Sequence, residues 1–291
     1  MVCAVGVLLT TVGSLAVTSQ LLDGGAAGAG AQAAAPAPAP APAPPAPVVP
    51  LDGPPGLRSD WTPVFVDEFD GPVIDASKWR SNRYGGETND GAFNPEIEDA
   101  YYSPGNVSVV DGTAALTIQP DPRTVDGVEY THSSGCMTTQ GNFLAQDGDY
   151  IEARIWIPIG DGLWPAFWTV PDDRWPPEID IMEYFDTSIL RPPAFVYHFP
   201  GPVGMRGEHS IQPYGDAAVD YRDSWHTYGL LRTQGRVVPY LDGVAYPEAG
   251  VSAGVDDLPQ FLTLNLAMYT DRAPTPGTQM RIDWVRVWRP S

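Results

Sequence analysis

Basic side chains are scarce in this 291-residue chain: 16 Lys and Arg stand against 36 Asp and Glu, a formal net charge of −20. Lys78 is the only lysine, and no basic residue precedes Arg58. So acidic a surface repels phosphate backbones and anionic lipid, which argues against nucleic acid and membrane surfaces as partners. It repels a polyanionic glycan too, so any polysaccharide partner is expected to be neutral. Cysteine is nearly missing: Cys3 lies in an N-terminal apolar run, and Cys136 is the one other. The folded part therefore has no internal disulfide, which a domain of this size does not need, and Cys136 reads as a packed, inert thiol. The apolar run over residues 2–17 is too short for a comfortable membrane span and has the length of a signal-peptide core. Residues 1–21 are expected to be a signal peptide or N-terminal anchor, and the protein to be secreted or held at the cell surface or wall. Long segments with a 3.6-residue apolar period are absent as well, and frequent prolines oppose helices.

What the chain does have is proline, alternation and aromatic rings. Residues 22–58 are Gly/Ala-rich and then alternate Ala and Pro. That composition cannot bury a core and favours an extended polyproline II spacer without structure of its own. The folded domain is expected over 59–291. In Ile151–Ile157 apolar and polar side chains largely alternate, the period of a half-buried strand. In Gln260–Met268, Leu262, Leu264, Leu266 and Met268 share a core face, while Phe261, Thr263, Asn265 and Ala267 share the opposite one. Asp111-Gly112 and Asp242-Gly243 suit tight hairpin turns with positive φ. Val238-Pro239 suggests an edge strand or a bulge. The predicted fold is all-β, a jelly-roll sandwich of two antiparallel sheets with a concave substrate cleft.

The chemistry concentrates in Trp175-Pro-Pro-Glu178-Ile-Asp180-Ile-Met-Glu183. In a regular strand Glu178 and Asp180 face one way and Ile179 and Ile181 the other. Glu183 is out of phase and would point into the core, at a cost of several kcal/mol for a buried unpaired charge. A β-bulge at Ile181-Met182 absorbs the extra residue and returns Glu183 to the carboxylate face. The glutamate Cα atoms are then roughly 13 Å apart along the strand. Side chains leaning together reach the ~5–5.5 Å carboxyl spacing of a retaining glycosidase. Like charges so close do not both ionise readily, so one glutamate is expected to keep a proton at neutral pH.

These residues, with Phe65-Val-Asp-Glu-Phe-Asp-Gly71, Gly162-Leu-Trp-Pro-Ala-Phe-Trp168, Trp225-His-Thr-Tyr228 and Arg281-Ile-Asp-Trp-Val-Arg-Val-Trp288 in the same order, resemble glycoside hydrolase family 16. The resemblance runs over about residues 61 to 289. It implies Glu178 as nucleophile, Asp180 as its assisting carboxylate and Glu183 as general acid/base. The reaction implied is hydrolysis of an internal β-glycosidic bond with retention. Trp164, Trp168 and Trp175 match cleft aromatics that stack on sugar rings. His198 corresponds to a strand histidine that tunes the acid/base, and Asn265 lies on the cleft face. His226 reads as a structural, hydrogen-bonding histidine. No cofactor is needed for the chemistry. A structural calcium is implied on the convex face, held by Glu68, the Gly112 backbone and Asp283, oxygen donors that suit a hard cation. Pro95-Glu96-Ile97-Glu98 departs from the family's Asn-Glu pair at the negative subsites.

The expected protein is a monomeric, endo-acting hydrolase of a neutral polysaccharide, with β-1,3-glucan first because the bulged motif fits laminarinase-type enzymes. The competing readings are a galactanase or transglycosylase on the same fold, and a non-catalytic glucan-binding protein. All three acids are present, which favours catalysis over binding alone.

Overall fold

The computed structural model describes residues 60–82, 90–199, 208–233, 235–250 and 257–291. The expected leader over 1–21 and Ala-Pro spacer over 22–58 lie outside the described residues. Among the described residues, no helix is long and apolar enough to cross a membrane.

Two antiparallel sheets carry the fold. The larger contains β1 (Trp61–Asp67), β3 (Val107–Val110), β4 (Thr113–Thr117), β8 (Tyr150–Trp156), β13 (Trp225–Thr233), β14 (Arg236–Leu241), β15 (Val244–Ala245) and β17 (Gln279–Pro290). Its order is β15-β14-β13-β8-β17-β4-β3, with β1 also paired to β17. The second contains β7 (Cys136–Thr138), β9 (Leu163–Val170), β10 (Glu178–Glu183), β11 (Ala194–Phe199), β12 (Glu208–Pro213) and β16 (Phe261–Met268). Its order is β12-β11-β10-β9-β16-β7, which places the acid-rich β10 centrally. A small third sheet, β2 (Ala100–Tyr102), β6 (Val128–Ser134) and β5 (Gln119–Val125), adds one parallel pair, β2 with β6, that alternation alone does not reveal.

The core forms because each large sheet turns an apolar stripe inward. Ile151, Ala153 and Ile155 of β8 meet Leu262, Leu264, Leu266 and Met268 of β16 and Phe167 of β9 in one cluster. Phe261, on the other face of β16, joins Trp168 and Val170 in a separate cluster roofed by Phe93 and Leu144, so the two predicted faces of β16 are realised. Cys136 is fully buried beside them.

The hairpins follow their turn chemistry. Asp111-Gly112 links β3 to β4 and Asp242-Gly243 links β14 to β15, both with positive φ at Asp and Gly, and Asp126-Gly127 repeats the device between β5 and β6. Pro239 lies in β14, which is neither bulged against β13 nor the edge strand; the two-residue β15 is outermost and pairs only with Tyr240 and Leu241, so no residue of β15 pairs with Pro239. Gly135 is set by close approach: a Cβ there would lie 2.7 Å from the Asn106 carbonyl oxygen and 2.9 Å from Leu116 Cα.

Candidate active site

The site is built on the irregularity in β10. On one side Asp180 pairs with Trp168 and Met182 with Phe167; on the other, Asp180 pairs with Val196 and Glu183 with Ala194. Trp168 and Phe167 are consecutive but Asp180 and Met182 are not, so one extra residue is accommodated at Ile181-Met182. Ile181 and Met182 are both fully buried in the main core. The bulge therefore gives two successive apolar side chains to the interior and turns Glu183 back to the outer face with Glu178 and Asp180. This is the geometry the spacing predicts.

Each carboxylate has its own partners. Glu183 Oε1 accepts a hydrogen bond from the Trp164 indole N–H at 2.7 Å. Glu178 Oε2 accepts one from the Trp175 indole at 3.1 Å. His198, paired opposite Glu178 on β11, places Nε2 3.4 Å from Glu178 Oε1 and 3.4 Å from Asp180 Oδ2. The Trp175 ring lies 5.6 Å from the imidazole, centroid to centroid.

Those partners divide the protons. Burial and the neighbouring Asp180 charge raise both glutamates above the ordinary carboxylate range. The His198 charge and the Trp175 N–H oppose that rise at Glu178. At Glu183 only the Trp164 N–H does so, while the charges of Glu178 and Glu98 add to the rise. Glu178 thus gives up its proton first and Glu183 holds its own longer, the order needed for a nucleophile beside a proton donor. Burial pulls His198 down, but the Asp180 carboxylate beside it and the charge of Glu178 outweigh it and push the imidazole up to about 8.

Behind the acids runs a buried polar chain. Trp168 donates its N–H to Asn265 Oδ1 at 2.7 Å, Asn265 Nδ2 donates to the Tyr102 hydroxyl at 3.0 Å, and Tyr102 donates to Glu98 Oε2 at 3.2 Å. The Asn94 backbone N–H closes the chain on Glu98 Oε1 at 2.7 Å. Asn265 is only 4% exposed, with both ends of its amide engaged within the floor.

Of the predicted site residues, Glu178, Asp180, Trp175 and His198 form one contact group, Glu183 and Trp164 a second, and Trp168 and Asn265 a third. His198, expected to tune the acid/base Glu183, lies instead against Glu178 and Asp180, because the β10–β11 register sets it opposite Glu178. Trp175 is the most open ring of the three, 39% exposed, whereas Trp168 is buried edge-on against Phe93. Glu98, Tyr102 and Tyr269 join the site without having been singled out as members. Glu98 sits in a segment that departs from the expected family pair. Tyr269 directly follows the periodic leucine strand, and its ring stacks on Trp164 with centroids 4.8 Å apart. His226 is held structurally between Asp242 Oδ2 at 2.7 Å and Ser224 Oγ at 2.9 Å.

The residues expected to hold calcium are engaged otherwise. Both Glu68 oxygens accept from Arg286 at 2.8 Å, and Asp283 Oδ2 accepts from Arg154 at 2.6 Å. Arg281 donates to the Val110 carbonyl and to Thr113 Oγ1, spanning the turn that contains Gly112. With guanidinium groups already matching both carboxylates, this donor arrangement does not fit a hard divalent cation, and no step below uses one.

A bulged strand presenting three acids from a two-sheet sandwich defines the class. The sequence profile of glycosyl hydrolases family 16 matches residues 96–286, and the chain belongs to that family. Among curated proteins, an endo-1,3-1,4-β-glycanase of Rhizobium meliloti is 31% identical over 256 residues, covering 79% of this chain and 52% of that protein. A glucan endo-1,3-β-glucosidase of Niallia circulans is 27% identical over 261 residues, covering 78% of this chain and 37% of the relative. This chain thus spans about half the length, or less, of the first curated relatives it matches. Among solved structures, the laminarinase catalytic domain of Thermotoga maritima aligns with a TM-score of 0.66 at 28% identity, over 80% of this chain and 99% of that one.

Proposed function

We propose that this protein is a retaining, endo-acting β-glycanase that hydrolyses a neutral polysaccharide, with β-1,3-linked glucan as its main substrate. The observation that carries the reading is the unequal environment of two glutamates on one bulged strand. Glu178 lies against a cationic imidazole and Glu183 does not.

Glu178 Oε attacks the anomeric carbon while Glu183 transfers its proton to the glycosidic oxygen, and the C1–O bond breaks. This leaves a glycosyl ester on Glu178 and a free hydroxyl on the departing chain. Glu183, now ionised, takes a proton from water, which attacks C1 from the face the leaving group vacated; the C1–Oε bond breaks, Glu178 leaves as the carboxylate, and the original configuration is restored. The His198 imidazolium favours the ionised, attacking form of Glu178, and Asp180 keeps that imidazole cationic. No cofactor enters either step.

The relatives' glucan substrates support the choice of substrate, as does the charge of −20, which disfavours a polyanionic chain. An exported or wall-associated monomer is the setting that fits a polymer too large to enter a cell.

The test is product profiling on laminarin, lichenan, agarose and xyloglucan at early times, with the anomer of the new reducing end read by proton NMR. Mixed oligosaccharides from laminarin, released as the β-anomer, are expected. Exclusive cleavage of agarose, release of monosaccharide only, or initial α-anomer would overturn the reading.

A further inference from the structure

Glu178, Asp180 and His198 each direct one donor atom to a common point. Glu178 Oε1, Asp180 Oδ2 and His198 Nε2 all lie within 4.8 Å of one another, and among the described residues they are the one such group of three. The imidazole nitrogen is 3.4 Å from each carboxylate oxygen. Two ligands bonded at about 2.0–2.1 Å to a tetrahedral zinc ion stand about 3.3 Å apart, so the spacing matches two edges of a zinc tetrahedron. Asp180 is 5% exposed, and its buried Oδ2 meets the His198 Nε2 at 3.4 Å, too long for a good hydrogen bond. A buried carboxylate oxygen is costly unless a cation meets it, a place the protonated imidazole fills and a metal ion bonded to the neutral imidazole can take over. Glu178 is already oriented by Trp175 through Oε2, which leaves Oε1 to turn toward the histidine.

We propose that these three side chains form a zinc-binding site in the free protein and that zinc bound there blocks the nucleophile. One imidazole and two carboxylates suit zinc better than calcium or magnesium, which prefer all-oxygen shells. Three protein ligands leave the fourth tetrahedral position for water on the cleft side. The ion would draw on the Glu178 Oε1 lone pair that otherwise attacks the anomeric carbon. The inhibitory half rests on the glycanase reading above; the binding half does not.

The experiment is calorimetric titration of the metal-free full chain with zinc chloride at neutral pH, run beside laminarin hydrolysis at the same zinc concentrations. Wild type should bind one zinc ion saturably and lose activity in parallel, with recovery on adding a chelator. His198→Ala and the near-isosteric Asp180→Asn should each weaken binding at least about tenfold. Asp180→Asn guards against a folding defect in the alanine variant, and calcium and magnesium should not compete. No saturable zinc binding at millimolar concentration, or binding equally tight in both variants, would overturn the site. Zinc binding that depends on His198 but leaves laminarin hydrolysis untouched would overturn the inhibitory half. A protein inactive on every glycan that still binds zinc through His198 would sink the glycanase reading and leave the site standing.

Discussion

The indole nitrogen of Trp164 lies 2.7 Å from Glu183 Oε1, so a ring expected to lie under a sugar is bonded to the group assigned to deliver the proton. Tyr269 stacks on the same indole with planes 16° apart, and Phe185 lies 5.7 Å away on centroids. Trp164 is thus a positioning residue first, and whatever sugar contact it makes shares a ring already packed on two neighbours.

Replacing Trp164 by Phe keeps an aromatic ring for Tyr269 and removes only the donor. A hydrogen bond to a charged group is worth about 1.5–3 kcal/mol, so kcat on laminarin should fall by about 10- to 100-fold with KM little changed. The lost donor favoured the ionised carboxylate, so Glu183 should hold its proton to still higher pH and the basic limb of the rate profile should move up. An unchanged kcat, or a basic limb that moves down, would contradict this role.

The sequence carries the site in the phase error of one residue. Glu178 and Asp180 alternate with Ile179 and Ile181, Glu183 breaks the alternation, and a bulge is the economical repair. Only local period and the cost of a buried charge are at work there, and both act alike in the folded chain. The leucine face of β16 is legible for the same reason. The Glu98–Tyr102–Asn265–Trp168 chain is not, because it joins residues as far apart as 163 positions and has no period to betray it. The surroundings of the residues expected to hold calcium are illegible for a different reason. Glu68 and Asp283 are oxygen donors by type, but their neutralisation by Arg286 and Arg154 is a matter of cross-strand register on the larger sheet.

His198 should set the acid limb of activity. The imidazolium lowers Glu178 toward ionisation against burial and the Asp180 charge. In His198→Gln that assistance is gone, so Glu178 stays protonated to higher pH and the acid limb should rise by about one pH unit. Activity below the limb should then drop about tenfold while the basic limb stays near its place. Profiles of kcat/KM against pH for the two proteins decide it, and an acid limb that stays put or moves down would refute the pairing.

Glu183 should cost stability at neutral pH. Its folded value is raised by burial and Asp180, from an ordinary 4.5. As pH climbs past that ordinary value the unfolded chain releases the proton while the folded chain retains it. Stability therefore falls from there up to the folded value. Glu183→Gln removes the titration and keeps an oxygen for Trp164. At pH 7 the variant should be inactive yet more stable than wild type by roughly 1–3 kcal/mol, a rise in melting temperature of about 3–8 °C. The gap should close as pH is lowered toward 4.5. Melting curves across that range test it, and a variant less stable than wild type at neutral pH would be inconsistent with a raised Glu183.

The two glutamates can be told apart by what each loss leaves behind. Glu178→Ala removes the oxygen that bonds to the anomeric carbon, so no glycosyl ester forms and turnover should fall by several orders of magnitude on every substrate. Glu183→Ala removes the proton donor, a loss of about 100- to 10,000-fold on laminarin, where the leaving sugar needs that proton. An aryl β-glycoside whose leaving group departs without protonation bypasses that need in the first step, and the ester should then form and accumulate. Added azide needs no general base, so it should release the ester from Glu183→Ala as the β-glycosyl azide. On Glu178→Ala, azide can only take the empty nucleophile's place and yield the α-azide. The anomer of the azide product therefore assigns each role. Near-normal turnover by Glu178→Ala, or equal losses on laminarin and the aryl glycoside for Glu183→Ala, would show that the bulged strand carries these carboxylates in other roles.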